Sequence, residues 1–169
     1  SKFGFATLFP HNIGLGATRN PALLHEIGKV TAKEVLATGI DWTFAPTLAD
    51  VRNDRWGRTY ESYSEDPALV GKLGGALVEG IQGIAGTDSF LNENHVYATA
   101  KHWVGDGGTD DGIDQGDNTM SEADLVHLQA SAYFPTIEAG VQSIMVSHSQ
   151  WHNERMHGHK YLLTDVLKG

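Results

Sequence analysis

The chain has 169 residues, enough for one domain or part of a larger one, with 40% apolar and 20% charged residues as in ordinary globular proteins. Its 12 Lys and Arg stand against 21 Asp and Glu, a net charge of -9 that argues against nucleic acid and anionic membrane as partners. Cysteine is absent, which excludes disulfides and thiolate metal sites. No apolar run approaches the roughly 20 residues that span a bilayer, and no signal-peptide pattern is visible. The chain opens at Ser1 without Met and stops at Gly169, and is read as a processed or partial sequence.

Residues 1–19 read as a strand remnant and a loop, with Pro10, Gly14 and Gly16 as punctuation and Phe9-Pro10-His11-Asn12 offering polar groups. Asn20-Pro21 reads as an N-cap followed by the first helical position. Leu23, Ile27, Val30 and Val35 continue at helical spacing, and Gly39 suits the position past the helix end. Ile40 to Ala45 reads as a strand ended by Pro46. A long loop from Pro46 to Glu65 follows, rich in Asp, Arg and aromatic residues; loops of this length in compact domains are usually functional or disordered, and the aromatics argue against disorder. Asp66-Pro67 repeats the cap-plus-proline start, with Leu69, Val70, Leu73, Leu77 and Ile81 as the apolar stripe. Residues 83–95 form a polar connection.

Val96 to Ala100 then reads as a buried strand, with Lys101-His102 at its end and a Gly/Asp-rich loop to Met120 behind them. A charged pair where a buried strand stops is costly unless it faces a cleft or a partner. Ser121-Glu122-Ala123-Asp124 resembles a capping box with Asp in place of Glu. The helix after it runs to about Gly140, shortened or kinked at Pro135. Ser143 to Ser147 is the third strand and ends in His148-Ser149-Gln150-Trp151; Thr164 is expected to cap a final short helix.

Alternation of strands and helices predicts a parallel sheet. Polar and aromatic residues are delivered after one strand end after another, which fits a (β/α) barrel, α/β in class, better than a doubly wound sheet. No phosphate-binding glycine motif is present. Together the strand ends offer Arg58, Lys101, His102, His148 and several carboxylates, with Trp56, Trp103 and Trp151 beside them. Donors, acceptors and tryptophan faces in that mixture suit a neutral polyhydroxylated ligand. Asp66 is read as a cap, Glu61 and Glu65 as cap or solvated-face candidates. The Asp-rich loop matches no calcium-loop spacing, and His152, His157 and His159 read as surface histidines, so no metal is assigned.

Three stretches carry a resemblance. Arg55-Trp56-Gly57-Arg58-Thr59-Tyr60-Glu61-Ser62-Tyr63-Ser64-Glu65-Asp66-Pro67, Ala100-Lys101-His102-Trp103-Val104-Gly105-Asp106-Gly107, and Phe9-Pro10-His11-Asn12-Ile13-Gly14-Leu15-Gly16-Ala17-Thr18 resemble glycoside hydrolase family 3, in matching order and separation. The resemblance implies a (β/α)8 TIM-type barrel, of which residues 1–169 are the middle part, and an α/β domain after it. It implies a retaining exo-acting β-glucosidase or β-glucan glucohydrolase, without cofactor, acting on a β-glucoside or β-glucan oligosaccharide. Arg58, Lys101 and His102 match residues that hold the first-subsite sugar; His148, where relatives often have Tyr, and Trp151 and Gln115 match positions near the site. Asn53-Asp54 stands where many relatives have Asp-Pro. The N-acetylhexosaminidase branch carries a proton-transfer histidine in the loop after Lys-His, and that loop here reads Val104-Gly105-Asp106-Gly107. No catalytic residue is assigned within the chain: the nucleophilic Asp is expected downstream of Gly169 and the acid/base Glu in the second domain. The missing barrel half and that domain are then its partners, and a periplasmic or extracellular location follows from the resemblance. The alternative kept open is a non-catalytic carbohydrate-binding module.

Overall fold

A computed structural model describes residues 3–169. Its elements are α1 (Asn12–Ala17), α2 (Pro21–Leu36), α3 (Pro67–Gln82), β1 (Thr99–Trp103), β2 (Asp117–Asn118), α4 (Glu122–Asp124), α5 (Tyr133–Glu138), β3 (Ser143–Val146), β4 (Gln150–Trp151) and β5 (Glu154–Arg155), with short 3-10 and π turns between them.

The helix starts follow the local chemistry. Asn20 accepts the Leu23 N–H at 3.1 Å and Asp66 the Ala68 N–H at 3.0 Å, each just before its proline. Ser121 accepts the Asp124 N–H at 3.2 Å, but its hydroxyl also donates to the Asp124 carboxylate, so the return bond of a full capping box is not made. Leu125–Ala130 relaxes into a π turn closed by Ser131 N–H to Val126 O, and α5 restarts with Pro135 in its first turn, where no amide hydrogen is needed.

Several expectations are corrected. Residues 12–17 are helical rather than loop, and no strand lies among residues 3–11; Ser1 and Lys2 fall outside the described residues. The buried face of α2 is Leu24, Ile27, Gly28 and Ala32, while Leu23 and Val30 are substantially exposed. Small residues win that face because α3 packs directly on it: a Cβ on Gly28 would lie 2.7 Å from the Leu77 carbonyl, and one on Gly80 would overlap the His25 carbonyl. Thr164 lies inside a π turn, Tyr161–Val166, whose Leu162 N–H is accepted by His159 Nδ1 at 3.3 Å; no Thr164 cap forms.

Residues 41–48 run parallel to β1 as two isolated bridges, Trp42 with Tyr97 and Thr47 with Lys101, rather than as one continuous strand. Their backbone ladder includes Thr43 N–H to Tyr97 O, Thr99 N–H to Ala45 O and Lys101 N–H to Pro46 O. On its other side β1 pairs in parallel with β3. Consecutive strand segments are therefore neighbours, linked through helices that bury their apolar faces, as in an arc of a (β/α) barrel. Buried Gln82 at the end of α3 fastens the lower end: its Oε1 accepts from Ala98 N and Gln142 N, and its Nε2 donates to Gly140 O. A small separate sheet, β2-β4-β5, crosses the opposite end.

Gly80→Ala tests the α2/α3 contact. Helix propensity alone would favour alanine by about 1 kcal/mol. The steric clash is expected to reverse that sign and lower the unfolding free energy by about 1–3 kcal/mol, read as a fall in denaturant midpoint at constant m-value.

Candidate functional site

The register of β1 against β3 runs Thr99 to Ser143, Ala100 to Ile144 and Lys101 to Met145, then slips so that Trp103 pairs with Val146. Consecutive side chains of a regular strand face opposite sides, and such an irregularity re-aims them. Lys101 and His102 are adjacent, yet both lie near enough to Glu61 to help lower its pKa. Trp103 turns inward at 2% exposure, its indole donating to Leu162 O and its ring meeting Tyr133 edge-on at 5.0 Å.

The long loop brings in Arg58. Its Nε donates to one Glu61 carboxylate oxygen at 2.7 Å and its terminal nitrogen to the other at 2.9 Å. That hydrogen-bonded pairing holds Glu61 below its ordinary pKa and raises Arg58. The same terminal nitrogen lies 3.5 Å from His102 Nε2, and His102 Nδ1 lies 2.8 Å from an Asp106 carboxylate oxygen. Burial lowers the pKa of Lys101; Glu61 and Asp106 oppose that and Arg58 reinforces it. Among the described residues no carboxylate lies within salt-bridge distance of the Lys101 ammonium, although it is half-buried. Thus Arg58, Lys101 and His102 lie together at the C-terminal ends of the parallel segments.

Two neighbouring structures shape this cluster. The turn of α1 packs on the Arg58 loop: Asn12 donates to Glu61 O at 2.7 Å, and Gly16 lies so close to the Tyr63 carbonyl that a Cβ there would overlap it. Beneath the loop Asp50 is wholly buried; burial pushes its carboxyl up to about 7, only partly offset by the Arg52 guanidinium at 2.6 Å. Its backbone carbonyl accepts from buried Gln129 at 2.9 Å.

The other expected residues are placed differently. Trp56, also 2% exposed, donates its indole N–H to Asp114, so neither it nor Trp103 presents a face to a sugar. Trp151 is partly buried; its N–H goes to Met120 O and its ring meets His152 and His159. His148 is exposed and packs edge-on against His157 at 5.0 Å. Gln115 is exposed with a φ of 61°. Among the described residues no hydrogen bond or ring contact joins His148, Trp151 or Gln115 to the Arg58–His102 cluster. His159, read as a surface residue, is buried at 6% exposure. Glu61, read as a cap or solvated-face candidate, and Asp106, given no role, are the partners of Arg58 and His102; their spacing of three and four residues was the available signal. Among the described residues no group of metal-ligating side chains is assembled.

A (β/α) arc that gathers cations, an imidazole and carboxylates at its strand ends places the chain in the α/β class of (β/α) barrels. More particularly, the model of the glycosyl hydrolase family 3 N terminal domain matches residues 1–169, and the chain belongs to that family. A beta-xylosidase of Formosa agariphila is 38% identical over 168 residues, 98% of this chain and 23% of its own. The exo-1,3/1,4-beta-glucanase ExoP of a Pseudoalteromonas species superposes with a TM-score of 0.95 at 58% identity, covering 97% of this chain and 20% of that one. A D270A beta-glucosidase of Listeria innocua in complex with laminaribiose superposes at 0.92 with 34% identity, covering 98% of this chain and 23% of that one. Matched relatives also include a periplasmic beta-glucosidase of Salmonella typhimurium, 28% identical over 98% of this chain and 21% of its own. The chain thus spans between a fifth and a quarter of these relatives.

Glu61→Gln carries a pH signature. A lowered folded pKa means that the Glu61 carboxylate contributes stability above its ordinary value of 4.5 and loses it as pH falls through the folded value. The stability gap between the original chain and Glu61→Gln is expected to be open at pH 7 and to close in acid. Paired denaturation curves from pH 7 to 3 measure it.

Proposed function

We propose that the protein containing this chain hydrolyses terminal β-D-glucosyl residues of oligosaccharides or β-glucans with retention, and that Arg58, Lys101 and His102 hold the terminal sugar. The supporting observation is the half-buried Lys101 ammonium, left among the described residues without a close carboxylate beside the Arg58–Glu61 and His102–Asp106 pairs. A buried cation is costly unless it meets a hydrogen-bonding partner, and a sugar hydroxyl meets that need without adding charge. The relatives named beta-glucosidase, beta-xylosidase and exo-glucanase support the same class. His148, Trp151 and Gln115 are proposed to bind substrate near this cluster.

Retention by the common double-displacement route needs two carboxyl groups about 5–5.5 Å apart. Asp106 is engaged by His102 and Glu61 by Arg58, so we assign neither as nucleophile and place the catalytic pair in chain beyond residue 169. Residues 1–169 are then the middle of the barrel. Trp42, Phe44 and Tyr97, each about half exposed along the edge of the sheet, are the surface that the rest of the barrel would cover. A periplasmic or extracellular location accords with the relative so named.

In the complete protein, Lys101→Ala is expected to lower kcat/KM for an aryl β-glucoside roughly ten- to a hundredfold, the worth of one charged hydrogen bond. An unchanged value would remove Lys101 from the site, and inversion at the anomeric carbon would remove the mechanism. Residues 1–169 expressed alone are expected to release no aglycone. Turnover abolished by replacing one of their own carboxylates would overturn the assignment, while sugar binding by a complete protein devoid of hydrolysis would favour the binding-module reading.

A further inference from the structure

We propose that Asp106 is a positioning residue that fixes the tautomer of His102, so that the ring presents a bare Nε2, a hydrogen-bond acceptor, toward the sugar. The inference rests on the sugar-binding reading above and adds the polarity of one contact. His102 Nδ1 lies 2.8 Å from an Asp106 oxygen, and both side chains are about nine-tenths buried. A carboxylate only accepts, so the proton between them belongs to Nδ1. On the far side of the ring, Nε2 faces an Arg58 terminal nitrogen at 3.5 Å. A guanidinium only donates, so an Nε2–H there would set two donors against each other. Both neighbours therefore select the same neutral tautomer.

The consequence is chemical. Arg58 and Lys101 can only donate, so a hydroxyl bound between them and His102 accepts from a cation and donates its O–H to Nε2, taking over the lone pair from the long 3.5 Å Arg58 contact. A hydroxyl does both at once. A fluorine or an ether oxygen accepts but has no proton to give, and a carboxylate would face the bare nitrogen as acceptor against acceptor. The cluster is thus selective for a free hydroxyl rather than for any acceptor. Asp106 confers that selectivity without touching the ligand. Asp106→Leu would leave Nδ1 without an acceptor, so the proton could move to Nε2 and face Arg58 there as a second donor.

The test uses the complete protein with ring-15N histidine and a long-range 1H–15N correlation, His102→Gln identifying the signal. The expected result is an Nδ1–H tautomer, lost in Asp106→Leu, together with a roughly ten- to hundredfold weaker inhibition constant for glucose, the scale known for outer partners of metal-bound histidines. Asp106→Asn, whose amide oxygen still accepts from Nδ1–H, is expected to keep part of both. An Nε2–H tautomer in the unaltered protein would overturn the proposal, even if Asp106→Leu fails to fold. So would an Asp106→Leu ring and glucose affinity that both stay unchanged. Should the tautomer be as expected while glucose does not bind the unaltered protein, the sugar-binding reading fails and the Asp106–His102 arrangement stands.

Discussion

Glu61 and Asp106 are the carboxylates on which the upper end of this structure depends. They let a guanidinium, an imidazole and an ammonium crowd together at partly buried strand ends. Removing one member of such a buried, hydrogen-bonded group leaves its partner uncompensated and is much more damaging than the small net worth of the pair suggests. Each carboxylate reaches its partner within three or four residues along the chain, Arg58 with Glu61 and His102 with Asp106. Each pair therefore forms locally, and the fold has only to bring the two loops together.

Bringing them together is the task of the packing beneath. Asp114 accepts from the Trp56 indole, joining the Gly/Asp loop to the Arg58 loop. Gln129 reaches from the π turn to the carbonyl of Asp50, and Arg52 N–H donates to Gly107 O. The turn of α1 presses glycine, not a side chain, against Tyr63. The third sequence motif, Phe9 to Thr18, thus acts here as a brace for the Arg58 loop, which explains glycine at position 16 without any ligand. At the lower end Gln82 plays a comparable part, since one buried amide satisfies backbone groups from both the start of β1 and the approach to β3.

Much of this was legible in the sequence because local chemistry governs it. Asn20-Pro21, Asp66-Pro67 and Ser121 start helices through side-chain acceptors a few residues away, and those bonds form in the structure. Alternating strands and helices pointed to the parallel arrangement, and the three motifs to the family. The short segments were harder. The turn at residues 12–17 has too few apolar positions for a helical period to show. The strand over residues 41–48 dissolves into isolated bridges around a proline. Trp56 and Trp103 read as sugar platforms because loop and strand-end positions do not reveal burial; their indoles are spent on Asp114 and on the Leu162 carbonyl.

By itself, then, the sequence determined which chemical groups are present and which of them stand at strand ends. That follows from side-chain period, caps and turn residues, all of which act over a few positions. Only the tertiary structure decided which groups meet. Lys101 and His102, neighbours that a regular strand would turn to opposite faces, both lie near enough to Glu61 to lower its pKa, at the point where the β1–β3 register slips between Lys101 and Trp103. That slip belongs to the pairing of two strands some forty residues apart. No local pattern encodes it, because it is settled by how the partner strand and the surrounding side chains pack.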